Sequence, residues 1–297
     1  YAYYLGHGKT WAANNSEAQM YIDGSTISYN GNLWKNETTS YYWPKDGGSL
    51  TFFAYSYNKK DMTVGDNSGF ACVWALGEDG QYQGGITGHF DVATNKNVDF
   101  LVADIAADKT ENENSYAHTG VPTLFRHKLS MVNVAANLAE DYANKKFILN
   151  SVKFTNLCHY ATYSQIPEKM IPGGNMFLSD QVYAENVGFE VKSGGLIAVP
   201  AEIKKGAGVE DGQYIYIPQE FNDDSYIVIT YTVETVVGNK VVKEECTKPV
   251  KVKDVFPKWE MGHRYTFNLT FSLNEIHWDP AVENWIDDEA GNITIDR

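Results

Sequence analysis

Cysteine is scarce in this chain: Cys72, Cys158 and Cys246 are the only three in 297 residues. They are too few and too widely spaced for a disulfide framework, and no Cys-x-x-Cys or Cys/His spacing suggests zinc. An odd number leaves at least one thiol unpaired. Cys72 lies in FACVWAL, whose alternating faces are both apolar, so it is expected as a small buried core residue. Arginine is equally rare, standing only at positions 126, 264 and 297, and 24 basic residues face 38 acidic ones for a formal net charge of −14. A surface this poor in positive charge argues against nucleic acid or an anionic membrane as partner, because phosphate attraction needs a cationic field. Solubility accounts for the acidity. No run of about 20 apolar residues is present, so no transmembrane segment is expected, and no signal peptide is seen.

Catalytic motifs are absent as well. The seven histidines, at 7, 89, 118, 127, 159, 263 and 277, form no His-Glu-x-x-His pair; there is no Gly-x-Ser-x-Gly elbow and no phosphate-binding loop. His127 would need an orienting carboxylate and a nucleophile to act as a base, which the sequence does not supply; as a strand-face residue it needs only a hydrogen bond. The structural role is preferred. The acidic groups Asp223-Asp224, Glu244-Glu245 and Asp287-Asp288-Glu289 lack the spaced oxygen pattern of a calcium loop and fall where turns or strand edges are expected. No catalytic residue, metal ligand or cofactor site follows, and the chain is not expected to be an enzyme.

What the chain does have is aromatic, β-branched and glycine-punctuated sequence. Apolar residues make up 43% and aromatics 14%, with 20 tyrosines and 25 glycines, which favours strands joined by turns. The stretch YYWPKDGGSLTFFAYSY, from Tyr41 to Tyr57, reads as strand, turn and strand, with both faces of its second strand apolar or aromatic. MYIDGSTISY (20–29) is expected as a hairpin on Asp23-Gly24, Phe70 to Leu76 as a fully buried strand, and Val98 to Ile105 as another. The polar run 106–120 reads as an exposed excursion. Leu124 to Leu138 and Phe147 to Leu157 are expected to pair as a hairpin and complete a first sandwich. Short strands follow at 182–191, 196–199 and 213–217, and Tyr226 to Val237 with Lys240 to Val252 makes the clearest hairpin, turning at Gly238-Asn239. Tyr265 to Leu273 alternates cleanly and reads as a half-buried antiparallel strand. The expected class is all-β, with two sandwich domains in tandem, residues 1–160 and 161–297.

Three stretches resemble one family. The Tyr-Trp-Pro turn followed by SLTFFAY (49–55), the strand VPTLFRHKLSMVNV (121–134) with its histidine before Leu-Ser, and the ending WEMGHRYTFNLTFSLNEIHWDPAVENWID (259–287) are similar to landmarks of the fimbrillin-like family, in family order. The family comprises subunits of type V pili of gut and oral Gram-negative anaerobes. The resemblance implies transthyretin-like, Greek-key sandwiches and a structural or adhesive subunit assembled by strand exchange. A subunit loses its N-terminal strand and accepts a C-terminal strand of the next one. Mapped here, Tyr1, Tyr3 and Leu5 mark the removable strand, expected at a sheet edge, and Val282, Trp285, Ile286, Ile293 and Ile295 the donor strand. The implied partners are other pilus subunits, with host or bacterial glycans or proteins as adhesion ligands. The implied location is the cell surface and outer membrane, in fimbriae, reached through a lipoprotein signal upstream of residue 1. One departure stands out: the early basic residues are Lys9 and Lys35, so either the processed arginine site lies before Tyr1, or another protease acts, or this subunit is not processed. The aromatics crowding the beginning, among them Trp11, Trp34, Tyr41, Tyr42 and Trp43, leave a second reading open, a surface glycan-binding lipoprotein whose exposed rings stack on sugars.

Overall fold

The computed structural model describes residues 1–32, 34–57, 70–91, 98–111, 120–121, 123–165, 168–172, 201–206, 209–273 and 276–284. As the composition dictates, the chain is all-β. Helix among the described residues is confined to single turns, of which α1 (Trp11–Asn14) and α2 (Val252–Val255) are α-helical. In chain order the first strands are β1 (Ala2–Leu5), β2 (Gln19–Ile22), β3 (Ser28–Tyr29), β4 (Trp34–Lys35), β5 (Ser49–Phe52), β6 (Tyr55–Tyr57), β7 (Ala71–Leu76), β8 (Tyr82–Asp91), β9 (Phe100–Ala103), β10 (Ala106–Lys109) and β11 (Phe125–His127). The remainder are β12 (Ser130–Leu138), β13 (Lys145–Thr155), β14 (Tyr160–Gln165), β15 (Glu168–Pro172), β16 (Ala201–Ile203), β17 (Val209–Tyr216), β18 (Gln219–Glu220), β19 (Tyr226–Val237), β20 (Lys240–Lys251), β21 (Lys258–Trp259), β22 (His263–Phe271) and β23 (Ile276–Asn284).

Two cores organise these strands. Around the first lie three sheets, ordered β10-β5-β1-β2, β11-β9-β6 and β15-β14-β8-β7, which bury Leu5, Phe53, Phe90, Phe100 and Tyr163 among others. Around the second lie two sheets face to face, β17-β12-β22-β23 and β16-β13-β19-β20. Alternation decides what each strand buries, since successive side chains point to opposite faces. On β22, Tyr265, Phe267, Leu269 and Phe271 are buried while the residues between them are half-buried, as expected. Its neighbours differ from the expectation on one side, for β22 runs antiparallel to β23 but parallel to β12.

The first division of the chain is corrected by the pairing. β12 and β13 do not form a hairpin with each other; they stand in the two opposing sheets of the second sandwich, and β14 returns to the first core by pairing with β8. The cores therefore do not divide at residue 160. The physical reason is that β12 is apolar on both faces near its start. Leu129 and Met131 go to the first core while Val132, Val134, Ala136 and Leu138 go to the second, so the strand is satisfied only where the cores meet. At the end of β17, the same split sends Ile215 and Ile217 to the first core and Tyr216 to the second. Gln219 fastens this junction: its carboxamide accepts from the Cys158 backbone nitrogen at 2.8 Å and donates to the Cys158 and Ile217 carbonyls at 3.2 and 2.9 Å.

Other local expectations shift in the same way. Tyr41 to Pro44 is not strand, and β5 and β6 belong to different sheets because the chain breaks register at Phe53 and Ala54. Asp23-Gly24 turns the chain, but β2 pairs with β1 and β3 with β4, so no hairpin forms there. β7 is an edge strand with Val73 and Leu76 exposed rather than buried. Part of the polar run becomes β10, laid against β5. The hairpin of β19 and β20 forms as expected across all twelve pairs. The strands expected at 182–191 and 196–199 lie outside the described residues. All three cysteines are free thiols, with Cys72 and Cys158 buried.

Candidate subunit-assembly site

The candidate residues fall into two groups, the first at the first core and the second represented among the described residues by Val282, in the second sandwich. Tyr1, Tyr3 and Leu5 belong to β1 and its approach. β1 is not an edge: it lies between β2 and β5, antiparallel to both, with Ala2, Tyr3, Tyr4 and Leu5 opposite Phe52, Thr51, Leu50 and Ser49. The ladder extends by one reciprocal pair, the Tyr1 nitrogen donating to the Phe53 carbonyl at 2.9 Å and the Phe53 nitrogen to the Tyr1 carbonyl at 3.0 Å. An aromatic-rich four-residue strand with hydrogen-bonding partners on both sides is held mainly by what its side chains fill.

Tyr3 and Leu5 point into the first core and are almost fully buried. The Tyr3 ring meets Trp11 at a centroid distance of 6.0 Å and Phe53 edge-on at 5.9 Å, and Trp11 in turn lies 4.4 Å from Trp74. These rings pack together in the first core beneath β1, with Tyr3 at the strand end of the cluster. Its hydroxyl donates to the Cys72 carbonyl at 3.5 Å, and burial pushes the phenol up to about 12. Burial also pushes the neighbouring Cys72 thiol up to about 12, so it behaves as an inert apolar group. Trp11 is pinned from outside its own turn: its backbone nitrogen donates to Asp108 Oδ1 at 2.7 Å, and Asp108 reaches there from a left-handed backbone (φ 56°) that aspartate tolerates.

On the opposite face Tyr4 hydrogen-bonds Asp46, which raises the phenol and lowers the carboxyl. Gly48 lies beneath, where a Cβ would come within 2.6 Å of the Leu5 carbonyl oxygen. Glycine there is what lets β1 close onto β5. Of these supports, the sequence reading held the turn and the aromatic strand within Tyr41 to Tyr57. It missed Asp46 and Asp108, whose partners are 42 and 97 residues away in the chain.

The second group is only partly described. Val282 lies in β23, opposite Tyr265, at the outer edge of the second sandwich, and is 37% exposed. It is therefore engaged in its own sheet. Trp285, Ile286, Ile293 and Ile295 lie outside the described residues. Pro280, opposite Phe267 in the same strand, suits an edge, where a missing N–H breaks no inner ladder.

His127 has the hydrogen bond expected of a strand-face residue, its Nδ1 lying 2.6 Å from Asp99 Oδ2. A second such pair joins His159 and Asp91 at 3.1 Å. Among the described residues no group of three or more His, Cys, Asp or Glu could hold a metal ion, and no helix is long and apolar enough to cross a membrane.

Comparison with solved structures places this architecture. A fimbrial protein from Bacteroides vulgatus ATCC 8482 is similar with a TM-score of 0.70 at 19% identity, covering 96% of this chain and 91% of its own. A candidate cell-adhesion protein from Bacteroides uniformis ATCC 8492 is similar with a TM-score of 0.50 at 15% identity, covering 96% and 90%. At these identities the likeness establishes the fold. Comparison with curated proteins finds no match. The family model described as fimbrillin-like matches residues 8–285, a family of fimbrial proteins and not of enzymes. With nearly its whole length matched, the chain belongs to the fimbrillin-like family.

Proposed function

We propose that the chain is a structural or adhesive subunit of a cell-surface fimbria, and that subunits join by strand exchange at the groove occupied by β1. The observation that carries this reading is the placement of β1 between β2 and β5 with its side chains buried. Removing such a strand leaves the backbone of both neighbours unpaired and a slot lined by Trp11 and Phe53. Each buried polar group left unsatisfied costs about 1 to 3 kcal/mol, so an emptied groove favours a replacement strand. The donor is the segment following Asn284, with Trp285, Ile286, Ile293 and Ile295 as its apolar contacts. Val282 stays with its own sandwich, because β23 is fully paired to β22. Partners are other fimbrial subunits, and the place of action is the outer surface of the cell, reached as a lipoprotein precursor.

The test is to incubate the purified chain intact, trimmed through Leu5, and trimmed with residues 285–297 deleted, and to follow polymers by size exclusion and electron microscopy. Fibres or ladders formed by the trimmed chain and abolished by the deletion support the reading. A trimmed chain that stays monomeric, alone and with intact subunits supplying donor strands, refutes exchange at this groove.

A second reading is favoured by one observation. Tyr29, Trp34 and Tyr42 are 55%, 70% and 72% exposed, and the Tyr29 and Trp34 rings sit 5.5 Å apart on the β3–β4 ribbon. Exposed rings of this kind suit stacking on a neutral glycan. A glycan screen in which Trp34→Ala leaves every signal unchanged removes it.

A further inference from the structure

The chain is strongly acidic, yet one of its clefts is basic. At the end of the second sandwich, between the close of β12 and the start of β13, the connecting turn and the end of β16 border an open cleft of about 310 Å³. Lys145, Lys146, Lys204 and Lys205 line it against two carboxylates, Asp141 and Glu202, a formal excess of two positive charges. The clustering is built by the ladder: Phe147 stands opposite Ile203, so the ends of β13 and β16 bring their lysines together.

Those charges are poorly compensated from within. Glu202 stands 3.6 Å from the Lys146 ammonium and 3.9 Å from that of Lys204, sharing one carboxylate between two cations. Lys145 and Lys205 have no ion-pair partner among the described residues. Like charges gathered across a strand pair are unfavourable, and a bound anion relieves them.

The floor has a different chemistry. Leu138 and Ile203 are buried there, and Tyr142 is fixed beside them, its ring 5.5 Å from Phe147 and its hydroxyl accepting from the Leu273 nitrogen at 3.2 Å. An aromatic ring held by a hydrogen bond beside aliphatic carbon, rimmed by lysines, is complementary to a ligand with one apolar face and one oxyanion. A neutral sugar leaves the lysines unanswered, and a bare inorganic anion leaves the floor unanswered.

We propose that this cleft binds an acidic sugar, a single pyranose ring bearing a carboxylate or sulfate group. The volume sits at the lower end of the range for small-ligand sites, about 300 Å³ upward, which admits one ring rather than a long chain. The cleft is remote in sequence and sheet from β1, so the proposal does not rest on strand exchange.

Titration calorimetry on the full chain tests it, with the single-ring probes galacturonate, galactose 6-sulfate and neutral galactose, and with inorganic sulfate. The expected result is saturable binding of at least one acidic saccharide, weakened by raising salt from 50 to 500 mM as screening shortens to a few ångströms, as is general for exposed charges (roughly 3 Å at 1 M). The two acidic probes tell carboxylate from sulfate. In water an ion contact at about 4 Å is worth roughly fivefold in affinity, so Lys145→Gln with Lys205→Gln should weaken binding about thirtyfold with circular dichroism unchanged. Tyr142→Leu should weaken sugar binding severalfold and leave any binding of inorganic sulfate alone. The proposal is overturned if neither acidic sugar binds at millimolar concentration, if neutral galactose binds as well, if inorganic sulfate competes on equal terms, or if the double lysine variant binds like the parent.

Discussion

Replacing Tyr3 by alanine separates a strand that is merely present in a sheet from one that fills a groove. The side chain is 6% exposed and its ring contacts Trp11 and Phe53, so truncation leaves a cavity in the first core. Large aromatic-to-alanine changes at such sites cost about 3 to 5 kcal/mol, the lost transfer energy plus the void. Tyr3→Phe is the control. It keeps the ring and deletes only the hydroxyl, whose hydrogen bond to Cys72 is long at 3.5 Å, so the expected cost is about 1 kcal/mol or less. Hydrogen exchange read by mass spectrometry localises the effect. Loss of 3 to 5 kcal/mol corresponds to about a hundredfold to a few thousandfold faster exchange, expected in β2 and β5, which flank β1, and not in the β19–β20 hairpin. Equal protection of β2 and β5 in Tyr3→Ala and parent would refute the argument that β1 is held by its side chains. Uniform loss across both cores would show instead that the cores unfold together.

Three further outcomes follow from the same contacts. Gln219→Ala removes three hydrogen bonds at the junction and leaves the Cys158 backbone unsatisfied, at about 1 to 3 kcal/mol for each buried group; a melting temperature within a degree of the parent would contradict it. Gly48→Ala forces its new Cβ against the Leu5 carbonyl, and overpacking of this kind costs about 1 to 3 kcal/mol, measurable by urea unfolding. Alkaline pH should unfold the chain progressively. Burial holds Tyr3, Tyr55, Tyr265 and the Cys72 thiol up to about 12 in the folded chain, above their ordinary values. The unfolded chain therefore releases protons first, and stability present below about pH 9 is lost as pH climbs towards 12. A melting temperature flat over that window would be inconsistent with these burials.

Local features of this fold were legible because local rules produce them. Gly238-Asn239 between two β-branched runs gives a hairpin, and its twelve pairs form in the expected register. The alternation from Tyr265 to Phe271 announces one buried face, which the second core receives. The family landmarks lie in such stretches. Misreadings arose where two locally reasonable partners compete, as at Asp23-Gly24, where the turn forms but β2 goes to β1 rather than to the strand that follows. The lysine cleft left only scattered signs in sequence, two Lys-Lys pairs 59 residues apart that alternation alone does not bring together.

By itself the sequence determined the fold class, the faces of its long strands and, through three landmarks, the family. Period-two alternation and turn chemistry act over a few residues and need no partner to be read. Tertiary structure alone decided which strands are neighbours: that β1 is enclosed between β2 and β5, that β12 runs parallel to β22, and that β12 and β13 face each other across a core instead of pairing. Alternation says that a face must be buried without saying against what. That choice falls to the packing of whole sheets, where Leu129 and Met131 on one side of a strand and Val132 and Val134 on the other can be satisfied only between two cores.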